Sequence, residues 1–361
     1  MRLAVLKETQ TSERRVAQVP ETAAKLVKAG VSVVVERDAG LAAGFDDAAW
    51  NAVGASIAST AAEAVVGAAI VVGLHAPELQ LAPGTLLVSF LPPARRPSMA
   101  TAGISALAME KVPRSTRGQA VDALSSQATV AGYQSVLLGA SRLPRLLPMM
   151  TTAAGTLKPG RVLVLGAGVA GLQAIATANR LGAQVSAFDV RAAVKEQVQS
   201  LGAKFVEIDG VTSAEGAGGY AKELARDEQA RILVTLSRVV QQADLVICTA
   251  QIPNKPAPRL ITAEMVAAMQ RGAVIVDLAA ESGGNCELTR PGEEVLTPNG
   301  VLVLGPRNLP STMPLHASMM FAKNVLTLVQ LCVKDGGVSL DLKDDLIAAM
   351  LVTHAGEVRH P

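Results

Sequence analysis

Short, β-branched apolar runs alternate with alanine-rich helical segments along almost the whole chain, and they fall into two sets. The first set is LAVLK (3–7), SVVVERD (32–38), AIVVGLH (69–75), LLVSF (86–90) and ISALAM (104–109). The second is RVLVLG (161–166), QVSAFDV (184–190), KFVEID (204–209), LVICTA (245–250), AVIVDLA (273–279) and VLVLG (301–305). Continuous apolar runs of this length fit strands buried on both faces, and the helical segments between them supply the cover. Such alternation restricts the chain to parallel sheets with helices on both sides. The segment ETAAKLVKAG (21–30) shows the connecting pattern, with apolar residues three and four apart and Gly30 as the helix stop.

Two sets imply two domains, and 361 residues agree at roughly 150 residues per domain. A helical pattern runs from about 116 to 147, with Val130, Tyr133, Val136, Leu137 and Ala140 as its apolar stripe. Another, LHASMMFAKNVLTLVQLCV (315–333), follows the last strand and would carry the chain back to the first domain. The expected class is α/β, with two doubly wound parallel-sheet domains. A Rossmann domain, 125–314, is inserted into a discontinuous flavodoxin- or Rossmann-like domain made of 1–124 and 315–361.

Composition removes several function classes. Hydrophobic residues make up 50% of the chain and charged residues 18%, which supports sizeable cores and argues against disorder. Thirty-three basic against 31 acidic residues leave +2, no electrostatic footprint for nucleic acid or an anionic membrane. Aromatic residues at 2% argue against a base-stacking surface. Cys248, Cys286 and Cys332 fit neither a disulfide framework nor a zinc spacing, so they read as reduced, buried thiols, and no metal site is expected. The opening MRLAVLKETQ reads as a strand followed by charge rather than a signal peptide. The longest uncharged stretches, 123–141 and 162–179, are broken by polar residues or glycines, so no membrane span and a cytoplasmic location are expected.

The run RVLVLGAGVAGLQAIATANRLGAQVSAFD (161–189) places Gly166, Gly168 and Gly171 in a Gly-x-Gly-x-x-Gly pattern. Alone the pattern is weak. Here it follows a strand and opens a helix, and Asp189 ends the next strand 18 residues after Gly171. Gly166 permits a tight turn, Gly168 lets backbone approach a pyrophosphate, and Gly171 lets helix and strand pack closely. The N–H groups at the helix start, around Val169 and Ala170, favour an anion. An aspartate at this strand end accepts both hydroxyls of an adenosine ribose and repels a 2′-phosphate, which favours NAD over NADP. Val190 and Arg191 follow it and join the cofactor-binding candidates. Arginine can bind a 2′-phosphate, but Asp189 occupies the strand end itself, which favours a structural role for Arg191. Two later loops fall where strand ends should line the same crevice, and on the residues alone each reads equally as a plain loop. CTAQIPNKPAP (248–258) brings Thr249, Ala250 and Gln251, with prolines that stiffen a turn beside the nicotinamide. DLAAESGGNCE (277–287) brings a Gly-Gly-Asn that reads as a backbone-lined pocket.

The stretch VPRSTRGQAVDALSSQ (112–127) concentrates hydrogen-bonding groups in Arg114, Arg117, Gln119, Asp122, Ser125 and Ser126. On the residues alone, Thr116-x-x-Gln119 is a capping box in which Gln119 only satisfies a helix start. Asp122 and Ser126 are then an ordinary i,i+4 surface pair.

Long segments carry a family resemblance: AAGTLKPGRVLVLGAGVAGLQAIATANRLGA (153–183), VRAAVKEQVQSLGAKF (190–205), GGYAKE (218–223), KPAPRLITAEMV (255–266) and VDLAAESGGNCELT (276–289). With the opening LAVLKETQTSERRVAQVPETAAKLVKAG (3–30) and the ending AGEVRHP (355–361), they resemble the NAD(H)-binding subunit of proton-translocating nicotinamide nucleotide transhydrogenases. The resemblance covers essentially the whole chain. It implies that Arg114, Gln119 and Asp122 form the loop that sets the nicotinamide of NAD(H) against a second nucleotide. Ser125, Ser126 and Tyr133 match positions near the same nicotinamide and its ribose. The segment EIDGVTSAEGAGGYAKE (207–223) resembles the family's mobile loop, with Tyr220 near its end. Asn254 stands where the family commonly has glycine. Hydride then passes directly between two nicotinamide rings, so the site needs positioning rather than a general acid or base. The resemblance further implies NADP(H) on a membrane-embedded partner subunit coupled to proton movement, a homodimer, and the separate-subunit form, held peripherally at the inner membrane by that partner.

Alanine dehydrogenase is related in fold and is the competing reading. That family resembles this chain at Arg15, but its chemistry needs a lysine and a histidine where this chain has Leu74 and Pro92. Neither can polarise a carbonyl or move a proton. His75 is adjacent, but a one-residue shift in a regular strand turns a side chain to the other face, so it reads as structural. A non-catalytic NAD-binding regulator is the third reading.

Overall fold

The computed structural model describes residues 1–208, 226–252 and 255–360. They fall into two compact units, Met1–Gln127 with Pro310–Pro361, and Ala128–Leu309. Tyr220 and Asn254 lie outside the described residues.

The first unit is built on an eight-stranded sheet. Its strands stand in the order Glu357–Val358, Leu351–His354, Ser105–Ala108, Leu86–Phe90, Ile70–His75, Arg2–Val5, Ser32–Glu36 and Ser56–Ala58. The last six are parallel, and the first two pair antiparallel at one edge. Period-two alternation sends Leu3, Val5, Val33, Val35, Ile70 and Val72 into a core on one face, and Ala4, Val34, Val71 and Leu87 into a core on the other. The helix Pro314–Leu331 packs Phe321, Ala322, Val325, Leu328 and Val329 into the first of these cores.

The second unit carries a seven-stranded sheet in the order Lys204–Phe205, Gln184–Phe188, Arg161–Leu165, Leu245–Cys248, Val274–Asp277, Leu302–Leu304 and Glu294–Leu296. All but the last run parallel. Counted along the chain from Arg161, the parallel strands stand 3-2-1-4-5-6, the order of dinucleotide-binding Rossmann sheets. The α/β class with doubly wound, mainly parallel sheets is therefore observed. The antiparallel edge strands add to it, because pairs of two to four residues carry no periodic signal.

The helix expected over 116–147 is shorter at both ends. A 3₁₀ turn, Gly118–Val121, precedes the helix Ala123–Arg142. Asp122 separates them, and its carboxylate accepts hydrogen bonds from the Ser125 N–H at 2.8 Å and the Ser125 hydroxyl at 2.5 Å. Pro144 disfavours helix at Leu143 and ends it. The packed face also differs from the expected stripe. Val130 and Val136 of that stripe are buried, but Gly132, Ser135 and Gly139 are buried with them, and Tyr133 is exposed. A Cβ at Gly132 would run into the Ala170 carbonyl, and one at Gly139 into Leu245. Glycines let this helix approach the Ala170 backbone and the Leu245 side chain, and a hydrophobicity pattern does not register them.

All three cysteines are buried. Burial pushes the Cys286 thiol up to about 11 and the Cys332 thiol up to about 12, with Cys248 also well above the ordinary range. None of them is poised as a thiolate nucleophile.

Candidate functional site

In the second unit, the C-terminal ends of three adjacent parallel strands bring the glycine loop, Asp189 and the Thr249–Ala250–Gln251 loop together. Gly166 follows the strand Arg161–Leu165 with φ +94°, a left-handed conformation that suits glycine. A Cβ there would also lie 2.8 Å from the Thr249 hydroxyl and 2.9 Å from the Ala250 nitrogen. Gly168 is the N-cap of the helix Val169–Arg180, which has no side-chain cap. A Cβ at Gly168 would meet nothing within 4 Å. A Cβ at Gly171 would run into the Gly166 carbonyl oxygen, so close packing of helix on strand depends on this glycine. The uncapped N–H groups of the first helical turn and the open space over Gly168 suit an anionic group lying against the backbone.

Asp189 sits at the end of the next strand and is buried. Its Oδ2 accepts the Ala167 N–H at 2.7 Å, and its Oδ1 accepts the Arg191 N–H at 2.9 Å. The Arg191 guanidinium adds Nε to Oδ1 at 2.9 Å and Nη2 to Oδ2 at 2.8 Å. Val190, between them, packs on the core. On the other side of the glycine loop, the Thr249 hydroxyl donates to the Gly166 carbonyl at 2.9 Å.

Asn285 is the structural residue that sequence reasoning passed over. Its Oδ1 accepts the Ala250 N–H at 3.0 Å, and its Nδ2 donates to the Ala250 and Pro258 carbonyls, each at 2.8 Å. Asp277 holds the neighbouring loop through the Ala279 and Cys286 N–H groups and the Thr289 hydroxyl. The Gly-Gly-Asn of 283–285 was the available signal, but its asparagine fastens one strand-end loop to the next with its side chain.

In the first unit, Arg114 and Gln119 are exposed and Asp122 is partly buried. The 3₁₀ turn starts after Arg117 with no side-chain cap, so the Thr116–Gln119 capping box is not formed. The Gly118 N–H bonds to the Ser115 hydroxyl at 3.1 Å instead. Asp122 serves Ser125 rather than pairing with Ser126, whose hydroxyl donates to the Ala123 carbonyl at 3.1 Å. Tyr133 falls in the second unit, one residue from the contact between Gly132 and Ala170 at the start of the glycine-loop helix.

The alanine dehydrogenase/PNT N-terminal domain family matches residues 4–131, and the alanine dehydrogenase/PNT C-terminal domain family matches 135–361. An NAD(P) transhydrogenase subunit alpha chain of Rhodospirillum rubrum is 45% identical over 100% of this chain and 98% of its own length. The crystal structure of transhydrogenase from Sinorhizobium meliloti superposes with a TM-score of 0.90 at 40% identity, covering 99% of this chain and 100% of that one. The chain belongs to the alanine dehydrogenase/PNT family, with the NAD(P) transhydrogenase alpha subunits. An L-alanine dehydrogenase structure matches at 27% identity and a TM-score of 0.81, covering 100% of this chain and 97% of that one.

The positions on which the alanine dehydrogenase reading turns lie in the first unit. Leu74 is fully buried in the core, and Pro92 precedes a 3₁₀ turn, Pro93–Arg95. Arg15 is buried and engaged, with Nη2 2.6 Å from Glu13 Oε2 and Nη1 donating to Gln127 Oε1 at 2.8 Å. The strand Ile70–His75 shifts its pairing register between Val72 and His75, so simple alternation does not carry through to His75. Its Nε2 lies 3.4 Å from Glu13 Oε2. Among the described residues, no helix is long and apolar enough to cross a membrane.

Proposed function

We propose that this chain is the NAD(H)-binding subunit of a proton-translocating nicotinamide nucleotide transhydrogenase. The observation that carries the reading is the 45% identity, end to end, to a transhydrogenase alpha subunit. The glycine loop fits the cofactor, because open space and uncapped N–H groups meet at Gly168 while a carboxylate closes the next strand. In this reading the amides around Gly166, Gly168, Val169, Ala170 and Gly171 hold the pyrophosphate. Asp189 holds the adenosine ribose, with Val190 and Arg191 flanking it. Thr249, Ala250 and Gln251 border the nicotinamide, together with Ser125, Ser126, Tyr133 and Tyr220. The nicotinamide supplies the hydride. The chain's own residues bind it, orient it and exclude water, with Arg114, Gln119 and Asp122 setting it against NADP(H) on a membrane-embedded partner subunit. That partner couples the transfer to proton movement, and the chain works as a homodimer docked on it.

The test is single-turnover hydride transfer from NADH on this chain to NADP⁺ on the soluble NADP(H)-binding domain of the partner. Transfer is expected in the mixture and from neither component alone. Alanine-dependent NADH formation by the chain alone, at an enzyme-like rate above roughly 1 s⁻¹, would return the chain to the amino-acid dehydrogenases. NADH binding without transfer to any partner would leave a nucleotide-binding regulator.

A further inference from the structure

We propose that Arg191 sets the dinucleotide selectivity of the adenosine-ribose position, as both counter-ion and competitor for Asp189. The proposal rests on the NAD(H) reading above and deepens it.

A carboxylate offers about four acceptor positions. At least four donors face Asp189 among the described residues: the backbone N–H groups of Ala167 and Arg191, and Nε and Nη2 of the Arg191 guanidinium. The two backbone donors belong to the glycine loop and the strand end, so they stay when a ligand arrives. Only the guanidinium sits on a side chain that can swing away. Ribose hydroxyls therefore reach Asp189 by taking the two positions that Arg191 holds. The displaced guanidinium remains tethered two residues away, so its positive charge stays beside the ribose. There it offsets the carboxylate charge that a 2′-phosphate would meet. Arg191 thus weakens NADH binding by competition and softens the rejection of NADPH by attraction. Without it, a ribose finds open acceptors, and a 2′-phosphate finds an uncompensated carboxylate.

Arg191 acts through Asp189, so it is a positioning residue, and its signature is a ratio of affinities rather than a loss of one. NADH and NADPH are titrated separately against the full chain, with thermal unfolding recorded for each variant. Arg191→Ala should keep or raise NADH affinity and lower NADPH affinity. The ratio of the two dissociation constants should then widen by roughly tenfold or more, the scale of a hydrogen bond to a charged group. Arg191→Lys keeps the charge without the planar fork and should stay nearer to wild type than to Arg191→Ala. Asp189→Asn should improve NADPH binding by freeing the guanidinium for the 2′-phosphate, and adding Arg191→Ala should erase that gain. Arg191→Gln repeats the test if the alanine variant unfolds. An unchanged ratio in the alanine and glutamine variants would overturn the proposal, and so would equal loss of both nucleotides, which would mark Arg191 as a loop brace. A wild-type chain that binds no NADH would sink the NAD(H) reading itself. NADH binding that depends on Asp189, with an Arg191-independent ratio, would sink only this inference.

Discussion

The Gln119 side chain is exposed and makes no hydrogen bond among the described residues, so the turn that carries it does not depend on it. Gln119→Ala should leave the thermal midpoint of the chain unchanged. If the amide positions the nicotinamide, hydride transfer should slow on the order of 100-fold, because a misplacement of about 1 Å costs that much. NADH affinity should change far less, since the contacts at Gly168 and Asp189 remain. A variant that transfers hydride at the wild-type rate would count against a positioning role. Glu8 offers a different test. Its Oε1 accepts the Leu74 N–H at 2.6 Å, and burial pushes its carboxyl up to about 7 from an ordinary 4.5. The folded chain therefore holds this proton more tightly than the unfolded one. The contribution is full below the ordinary carboxylate range and is lost as pH rises through about 7. Glu13 runs the other way. Burial alone would raise it, but hydrogen bonds from Arg15 and His75 hold it below the ordinary range, so its contribution is lost on acidification. Glu8→Gln keeps the acceptor and removes the titration. It should flatten the decline in thermal midpoint between about pH 5 and pH 8, a decline worth up to about 3 kcal/mol in the wild type. Identical slopes for variant and wild type would refute this account.

At the scale of one element, the helix Val169–Arg180 separates folding from binding within a single glycine pattern. Gly171→Ala drives a methyl into the Gly166 carbonyl, which is backbone and cannot rotate away. Destabilisation should reach the upper end of the roughly 1–3 kcal/mol typical of overpacking, or exceed it. Gly168→Ala meets no atom within 4 Å and keeps an ordinary φ of −77°. It should melt like the wild type and yet bind NADH much more weakly, because the methyl occupies the approach to the first-turn amides. Thermal unfolding and NADH titration of the pair check both halves. Two variants that lose stability and affinity in parallel would show that Gly168 is as structural as Gly171.

At the scale of the molecule, the first unit is discontinuous in sequence, and its core depends on residues more than 300 positions apart. Phe321, Val325 and Leu328 are fully buried in the cluster that holds Leu3 and Val72. Each such side chain contributes about 1.5–3 kcal/mol by burial, so the helix they share rivals the roughly 5–15 kcal/mol that keeps a typical domain folded. A chain ending at Leu309 should therefore lose cooperative melting of the first unit and bind a hydrophobic dye. Unchanged melting would mean that the residues before Leu309 form a complete core by themselves.

Local sequence determined most of the strands and the class of fold. Strongly apolar, β-branched runs bounded by glycine stops have few alternatives to buried parallel strands, and Leu245–Cys248 and Val274–Asp277 lie inside the runs that marked them. The glycine loop was readable because Gly166 answers a left-handed turn and Gly171 a close approach to the Gly166 carbonyl, both made within a few residues, with Gly168 in the pattern between them. The tertiary structure decided what depends on partners distant in sequence. The face of the helix Ala123–Arg142 is set by Gly132 and Gly139, whose role exists only against Ala170 and Leu245. Asn285 matters because the fold brings Ala250 and Pro258 to its amide. The short strands at the sheet edges form because a long sheet already offers them unpaired backbone groups. Arg191 could be weighed from sequence only as a neighbour of Asp189. Its hold on both carboxylate oxygens follows from the side-chain path after the strand end, and a one-dimensional pattern does not encode that path.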